Sequence, residues 1–264
     1  MKLYNKYIAI ITAENKEKYL SKTINSCLEN LGNNNLKIII IYKFLSNEKI
    51  LKTKFNKFKN IIFYKIKIKK KYPTQDQLYK IEQALRFIKH EWILLLDGDD
   101  IFKRNKIETL KNLNLNKDKI YIHDHEIKLN KLIKKSSLKN YKNFFLYKRL
   151  FNDWPQKINT SSIVINGSLL KKFYRNHKPY KWKYLAIDIQ LILYFFYKKK
   201  IKIIDKVLTT KVENINNLDR NFSNLTHKNY WYRRFEQHEL TRELSGKINL
   251  IDRIITLFFL KIFK

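Results

Sequence analysis

A chain of 264 residues with 44% hydrophobic content can bury a sizeable core, and its 56 Lys and Arg against 23 Asp and Glu give a formal net charge of +33. The single cysteine, Cys27, excludes an intramolecular disulfide and a cysteine-rich zinc site. The basic surplus favours anionic partners, and no segment reaches the length of a bilayer span.

Three prolines, four glycines and no repeat suggest one compact domain with a C-terminal extension. The apolar run Tyr7 to Ile11 is too short for a secretory signal, so the chain reads as unexported and cytoplasmic. Strand-like runs recur at Tyr7 to Thr12, Leu36 to Tyr42, Ile61 to Ile68 and Glu91 to Leu96, with helical patterns separating the first pair and the last pair. That alternation predicts an α/β fold with a mostly parallel sheet and crossover helices. The first helix is expected to start at Asn15 as N-cap, turn Tyr19, Ile24, Cys27, Leu28 and Leu31 inward, and stop at Gly32. A second follows Pro73, with Thr74 and Gln77 spaced as a capping box and Leu78, Ile81, Leu85 and Ile88 at helical intervals up to His90. It leads into Trp92 to Leu96, a run without a polar residue, as in a strand buried on both faces. Further on, Ile107, Leu110 and Leu113 suggest a helix, and "KIYIHDHEI" and "SSIVI" read as strands. Tyr184 to Tyr197 reads as an apolar helix, "IKIIDKVLTTKV" as an edge strand, and the tail as a last helix.

Four apolar residues run directly into Asp97-Gly98-Asp99-Asp100. In open α/β sheets ligands bind beyond the carboxyl ends of the strands, where this turn falls. Asp97 and Asp99 can converge on one divalent cation, Mg²⁺ or Mn²⁺, while the bare backbone of Gly98 admits a phosphate. The residues alone equally allow a polar turn in which Asp100 caps the next helix. Asp188 is the only acid between Tyr184 and Tyr197, and periodicity alone favours it as a helix cap.

From Lys6 to Ile107 the order of elements resembles the family 2 glycosyltransferases of the GT-A fold. "YIAIITAENKEKYLSKTINSCLEN" is similar to their opening strand, turn and helix, and "ALRFIKHEWILLLDGDDIFKRNKIE" to their helix, strand, D-x-D-D turn and following helix. The resemblance implies a Rossmann-like GT-A domain over residues 1–215, with a nucleotide-sugar-binding half to about 115, an acceptor half from 116, and a helical extension over 216–264. It implies that Thr12, Ala13, Glu14 and Asn15 meet the nucleoside, that Asp97 approaches the ribose or the metal, and that Asp99 or Asp100 ligates the metal. "INTSSIVINGSLLKKF" and "YLAIDIQLIL" resemble the acceptor-side segments, which implies that Asp188 is the general base of an inverting transfer, with Ile187 replacing the usual first acid. Two stretches depart from the pattern. Tyr42-Lys43-Phe44-Leu45-Ser46 replaces an acidic turn that contacts the base, and Ile81-Glu82 replaces an Arg-Asn pair near the phosphates, where Lys80 could supply the charge.

His123 and His125 read as a polar strand face rather than a metal pair, and Trp154-Pro155 and Trp182 as core more readily than as sugar platforms. Neither His227 nor His238 has a spacing that selects it as a metal ligand. The tail Ile248 to Lys264 has the composition of an interfacial helix and equally of a core helix. No Q-x-x-R-W motif is present, which disfavours a processive synthase. The expected activity is therefore addition of one sugar, from a UDP-sugar, to a bacterial cell-surface glycan such as lipopolysaccharide, lipooligosaccharide or capsule. The expected acceptor is a glycan or a lipid-linked glycan at the inner membrane face, with peripheral contact to anionic lipid. Two rivals are a nucleic-acid-binding protein or metal-dependent nuclease, and an inactive transferase-like interaction protein. The first is disfavoured because the basic residues are spread instead of gathered into a module, so no nucleic acid is expected. The changes at Tyr42-Lys43 and Ile187 keep the second open.

Overall fold

The computed structural model describes residues 6–14, 17–32, 35–129, 132–136, 138, 158–213, 225–247 and 249–263. Asn15, Trp154 and Pro155 lie outside them. The first half contributes β1 (Tyr7–Ala13), β2 (Leu36–Tyr42), β3 (Ile61–Lys65) and β4 (Trp92–Asp97), all parallel in the order β3-β2-β1-β4. Crossovers run through α1 (Glu17–Leu28), α2 (Glu48–Phe55) and α3 (Pro73–Ala84).

Alternate residues of each strand face opposite sides of a sheet, and here both sides are covered. Ala9, Ile11, Ile38, Ile40, Leu94 and Leu96 pack with Leu20, Ile24 and Cys27 of α1 and with Leu51 and Phe55 of α2. Ile8, Ile10, Ile39, Ile41, Ile93 and Leu95 pack on the other side with Leu78, Ile81 and Ala84 of α3. Burial on both faces is why these strands are unbroken apolar runs.

The second half adds β5 (Ile101–Phe102), β6 (Ile120–Leu129), β7 (Leu132–Ser136), β8 (Ile163–Asn166) and β9 (Ile201–Glu213). The completed sheet has nine strands in the order β3-β2-β1-β4-β8-β6-β9-β5, with β7 paired to β6. β8 enters antiparallel between β4 and β6, and β9 runs parallel to β6. The helices are α4 (Lys106–Lys111), α5 (Gly167–His177), α6 (Ile187–Tyr197), α7 (Lys228–Ser245) and α8 (Leu250–Ile262). α8 packs on α7 through a polar seam in which Arg234 meets Asp252. Among the described residues no helix is long and apolar enough to cross a membrane.

Several expectations are corrected. Thr74 and Gln77 form no capping box: Tyr72 is the N-cap and Pro73 opens α3, since proline lacks the N–H that a first helical residue would leave unused. The helix ends at Ala84 and tightens into a 3₁₀ turn over Leu85–Phe87, short of His90. α1 likewise stops at Leu28, before Gly32. "IKIIDKVLTTKV" is not the sheet edge, because the two-residue β5 pairs with it at Thr209 and Thr210. Ser161 and Ser162 belong to a 3₁₀ turn, Thr160–Ser162, and β8 starts after them.

The turn from β8 into α5 depends on Gly167. Its N–H donates to Glu91 O at 2.9 Å, and a Cβ there would lie 2.4 Å from Ile88 Cγ2 and 3.3 Å from Glu91 O. Ile88 is buried and branched at Cβ, so it has no room to yield. Gly167→Ala should therefore destabilise the fold by about 1–3 kcal/mol, read as a lower urea midpoint. At the far end of α5, His177 lies beside Phe173 and its Nε2 donates to Gln190 Oε1 at 3.1 Å; burial pushes its pKa down to about 4. The unfolded chain takes up that proton near the ordinary 6.5, so this contribution is present above 6.5 and is lost as pH falls toward about 4. His177→Gln should flatten that part of the stability profile, measured by urea unfolding at successive pH values.

Candidate active site

β1 and β4 end side by side, with Thr12 opposite Asp97 in the parallel register. The turn after β4 is tied back to β1 and α1: Gly98 N–H donates to Thr12 O at 3.1 Å, and Thr23 Oγ1 donates to Gly98 O at 3.1 Å. A Cβ at Gly98 would lie 3.0 Å from Thr12 O and 3.3 Å from Ala13 Cα. Glycine here makes room for the β1 backbone.

The three acids of the turn have different surroundings. Asp97 is partly exposed, and its Oδ1 accepts from Gln77 Nε2 at 2.7 Å and from Thr12 Oγ1 at 3.4 Å. Asp99 is buried. Asp100 is buried too, and both its oxygens are engaged: Oδ2 accepts from Ser161 Oγ at 2.6 Å and Oδ1 from Val212 N–H at 3.0 Å. Burial, reinforced by the neighbouring Asp99 charge, pushes the Asp100 carboxyl up to about 7. Asp100 is thus built into the wall between the turn and β9, and it does not cap α4, whose N-cap is Asn105.

Ser161 holds this wall together. Its Oγ also accepts from Asp97 N–H at 3.0 Å, and its carbonyl accepts from Lys106 Nζ at 3.1 Å and Thr209 Oγ1 at 3.1 Å. Lys106 is wholly buried, with its amine 3.9 Å from the centre of the Phe102 ring and 2.9 Å from Thr209 Oγ1. Burial lowers its pKa well below the usual lysine value.

Lys80 is not a surface lysine. It is buried on α3, 2.8 Å from Asp76 Oδ2 and 4.0 Å from Glu14 Oε2, and Glu14 at the end of β1 also pairs with Lys69. At the end of β2, where the resemblance implies an acidic turn, Tyr42 is buried and donates to Glu48 Oε1 at 2.8 Å.

Asp188 sits half-buried in the first turn of α6, where its Oδ1 accepts from Ile189 N–H at 2.7 Å. The segment before it is clamped from two sides. Thr74 donates to Lys183 O and Gln75 Nε2 to Tyr180 O at 2.8 Å, while Glu236 of α7 accepts from the N–H groups of Lys183, Tyr184 and Leu185 at 2.8, 2.7 and 3.1 Å. One helix, α3, therefore reaches both the acid turn and the approach to Asp188.

The remaining candidates have structural duties. His123 and His125 are buried with lowered pKa values, mainly through burial, and Trp182 packs with Leu185, Ile189, Leu193 and Leu240. His227 accepts from Asn229 N–H at the start of α7, and His238 meets Thr256 Oγ1 at 3.2 Å. Gln77, Ser161, Lys106, Asp76 and Glu236 were not singled out as site residues from sequence. Only Asp76 and Lys80 carried a readable signal, their i,i+4 spacing.

A sheet that reverses direction beside β4, with acids at that strand's carboxyl end, is the arrangement that the resemblance to the GT-A glycosyltransferases implies. A family model, "Glycosyl transferase family 2", matches residues 8–172, more than half of the chain, and the chain belongs to that family. Among solved structures, Staphylococcus aureus TarS 1-349 in complex with UDP-GlcNAc superposes with a TM-score of 0.62 at 12% identity, over 98% of this chain and 71% of that one. Against a longer S. aureus TarS chain the TM-score is 0.64 at 14% identity, over 98% of this chain and 42% of that one. The mannosyltransferase PcManGT from Pyrobaculum calidifontis, in complex with GDP-Man and Mn²⁺, gives 0.57 at 11% identity, over 98% and 70%. No curated protein matches the sequence.

Ser161→Ala would leave the Asp97 amide and the Asp100 carboxyl each short of a partner. A loss of about 1–3 kcal/mol is expected, measured by thermal or urea unfolding.

Proposed function

We propose that this glycosyltransferase moves a single sugar from a nucleotide-sugar, a UDP-sugar, to a hydroxyl of a cell-surface glycan of the lipopolysaccharide, lipooligosaccharide or capsule type. The acceptor is carried on a lipid at the inner face of the cytoplasmic membrane. The observation that carries the reading is the Asp97-Gly98-Asp99 turn, held at the crevice beside β4 by Gln77, Thr12 and Ser161. The bound donors of the two neighbours, UDP-GlcNAc and GDP-Man, support a nucleotide-sugar there.

In this reading residues 1–115 form the donor half, with Thr12, Ala13, Glu14 and Asn15 against the nucleoside, and 116–215 the acceptor half. Lys80, aligned by Asp76, lends positive charge to the end of β1. Gly98 keeps the acid turn tight against β1. Among the described residues no three His, Cys, Asp or Glu side chains form a self-sufficient metal cage. Carboxylates at a crevice that also takes a diphosphate nevertheless fit Mg²⁺ or Mn²⁺, hard cations that fill their shells from one or two carboxylates plus substrate phosphates and water. Asp97 and Asp99 are the holders in this reading, and Asp100 is their support. Bound there, the cation would offset the charge that grows on the departing diphosphate.

Asp188 is the general base. Its place in the first turn of α6, with Oδ1 accepting from Ile189 N–H, fixes the carboxylate at the start of the helix. It removes the proton of the acceptor hydroxyl as that oxygen bonds to the anomeric carbon. The bond from that carbon to the nucleoside diphosphate breaks on the opposite face, and configuration inverts.

With UDP- and GDP-sugars and Mn²⁺, slow donor hydrolysis is expected, and Asp99→Ala should abolish it. Asp188→Asn should slow transfer by about 10²- to 10⁴-fold while leaving donor binding intact. Absence of donor binding across the whole panel would sink the reading.

A further inference from the structure

The last helix is mounted with its sides reversed. Asp252 and Thr256 of α8 are fully buried, whereas Leu250, Ile254 and Phe258 are 67%, 65% and 59% exposed, and Ile251, Leu257 and Ile262 are exposed as well. The inward face is fixed by specific partners. Arg234 Nε donates to Asp252 Oδ1 at 3.0 Å, His238 Nε2 lies 3.5 Å from Asp252 Oδ2 and 3.2 Å from Thr256 Oγ1, and Trp231 stacks on Phe259 at 4.3 Å. Rolling the helix to hide its apolar face would strand the Asp252 and Arg234 charges, so the outward stripe is the arrangement the fold holds.

We propose that the stripe Leu250, Ile251, Ile254, Leu257, Phe258 and Ile262 is the surface by which the protein lies on an anionic lipid bilayer. Spacings of three and four residues put all six on one side of α8. Exposed Lys261 falls on the same side and exposed Lys247 just before the helix, both placed to meet anionic headgroups. Thirteen residues make a helix of about 20 Å, too short to cross a bilayer core of roughly 30 Å and suited to lying in its interface. A second copy of the chain is a poor occupant. Two bodies of +33 repel, and one short helix offers less than the roughly 800 Å² per partner of a stable interface.

The inference deepens the proposed action on a lipid-linked acceptor, but its test needs no donor, so either can fail alone. The full chain is floated with phosphatidylcholine vesicles and with vesicles that also contain phosphatidylglycerol. Binding is expected only with the anionic lipid, weakening with added salt. Ile254→Ser with Phe258→Ser, both at exposed positions away from the acid turn, should reduce it at least about tenfold with the melting temperature and donor hydrolysis unchanged. Lys261→Glu should weaken binding more at low salt than at high salt. Wild-type protein that ignores anionic vesicles, a double variant that binds as wild type does, or a wild-type dimer in sedimentation that the double variant dissolves would each overturn the proposal.

Discussion

The site rests on one pairing: β8 lies antiparallel against β4 while β1 lies parallel on β4's other edge. Parallel pairing brings the end of β1 level with the end of β4, so Thr12 and Asp97 are neighbours. Antiparallel pairing brings the beginning of β8 to the same place, which is how Ser161, just before that strand, comes to touch the acid turn. Had β8 run parallel, its carboxyl end would lie there and Asn166 would replace Ser161. The reversal also brings the connections that leave β4 and enter β8 to the same end of the sheet, the end at which open α/β sheets bind ligands.

Gathering acids at one point costs free energy, and the surroundings reduce that cost unevenly. Asp100 is buried, accepts two hydrogen bonds and has a pKa raised to about 7, which lowers the charge the turn must hold near neutral pH. Beneath it, the amine of Lys106 donates to the Ser161 carbonyl and to Thr209, joining the turn to β9. The turn is therefore shaped by contacts already made in the folded chain, and any ligand meets a formed surface.

Much of this was legible in the sequence because it is local. The four parallel strands follow from apolar runs buried on both faces, and the acid turn from its position after one of them. The misread features depend on distant partners. Gln77 looked like half of a capping box because helix spacing says nothing about a carboxylate 20 residues on. Ser161 and Lys106, 55 residues apart in sequence, could not be linked before the strand order was known. A strand with its only outer neighbour two residues long reads as an edge, which is what happened with β9. Composition marks the tail equally as an interfacial and as a core helix, and which side of α8 faces the protein is decided by Arg234 and His238, in another element.

Gln77 stands where an arginine would have been an obvious grip for Asp97. An amide orients a carboxylate through a dipole and adds no net charge of its own. In this protein the aim of Asp97 and the electric field it projects are consequently set by different parts: a neutral side chain fixes direction, while buried neighbours govern the potential. Such a division lets the potential be retuned by substitutions among the buried neighbours while Gln77 still holds the direction of the carboxylate.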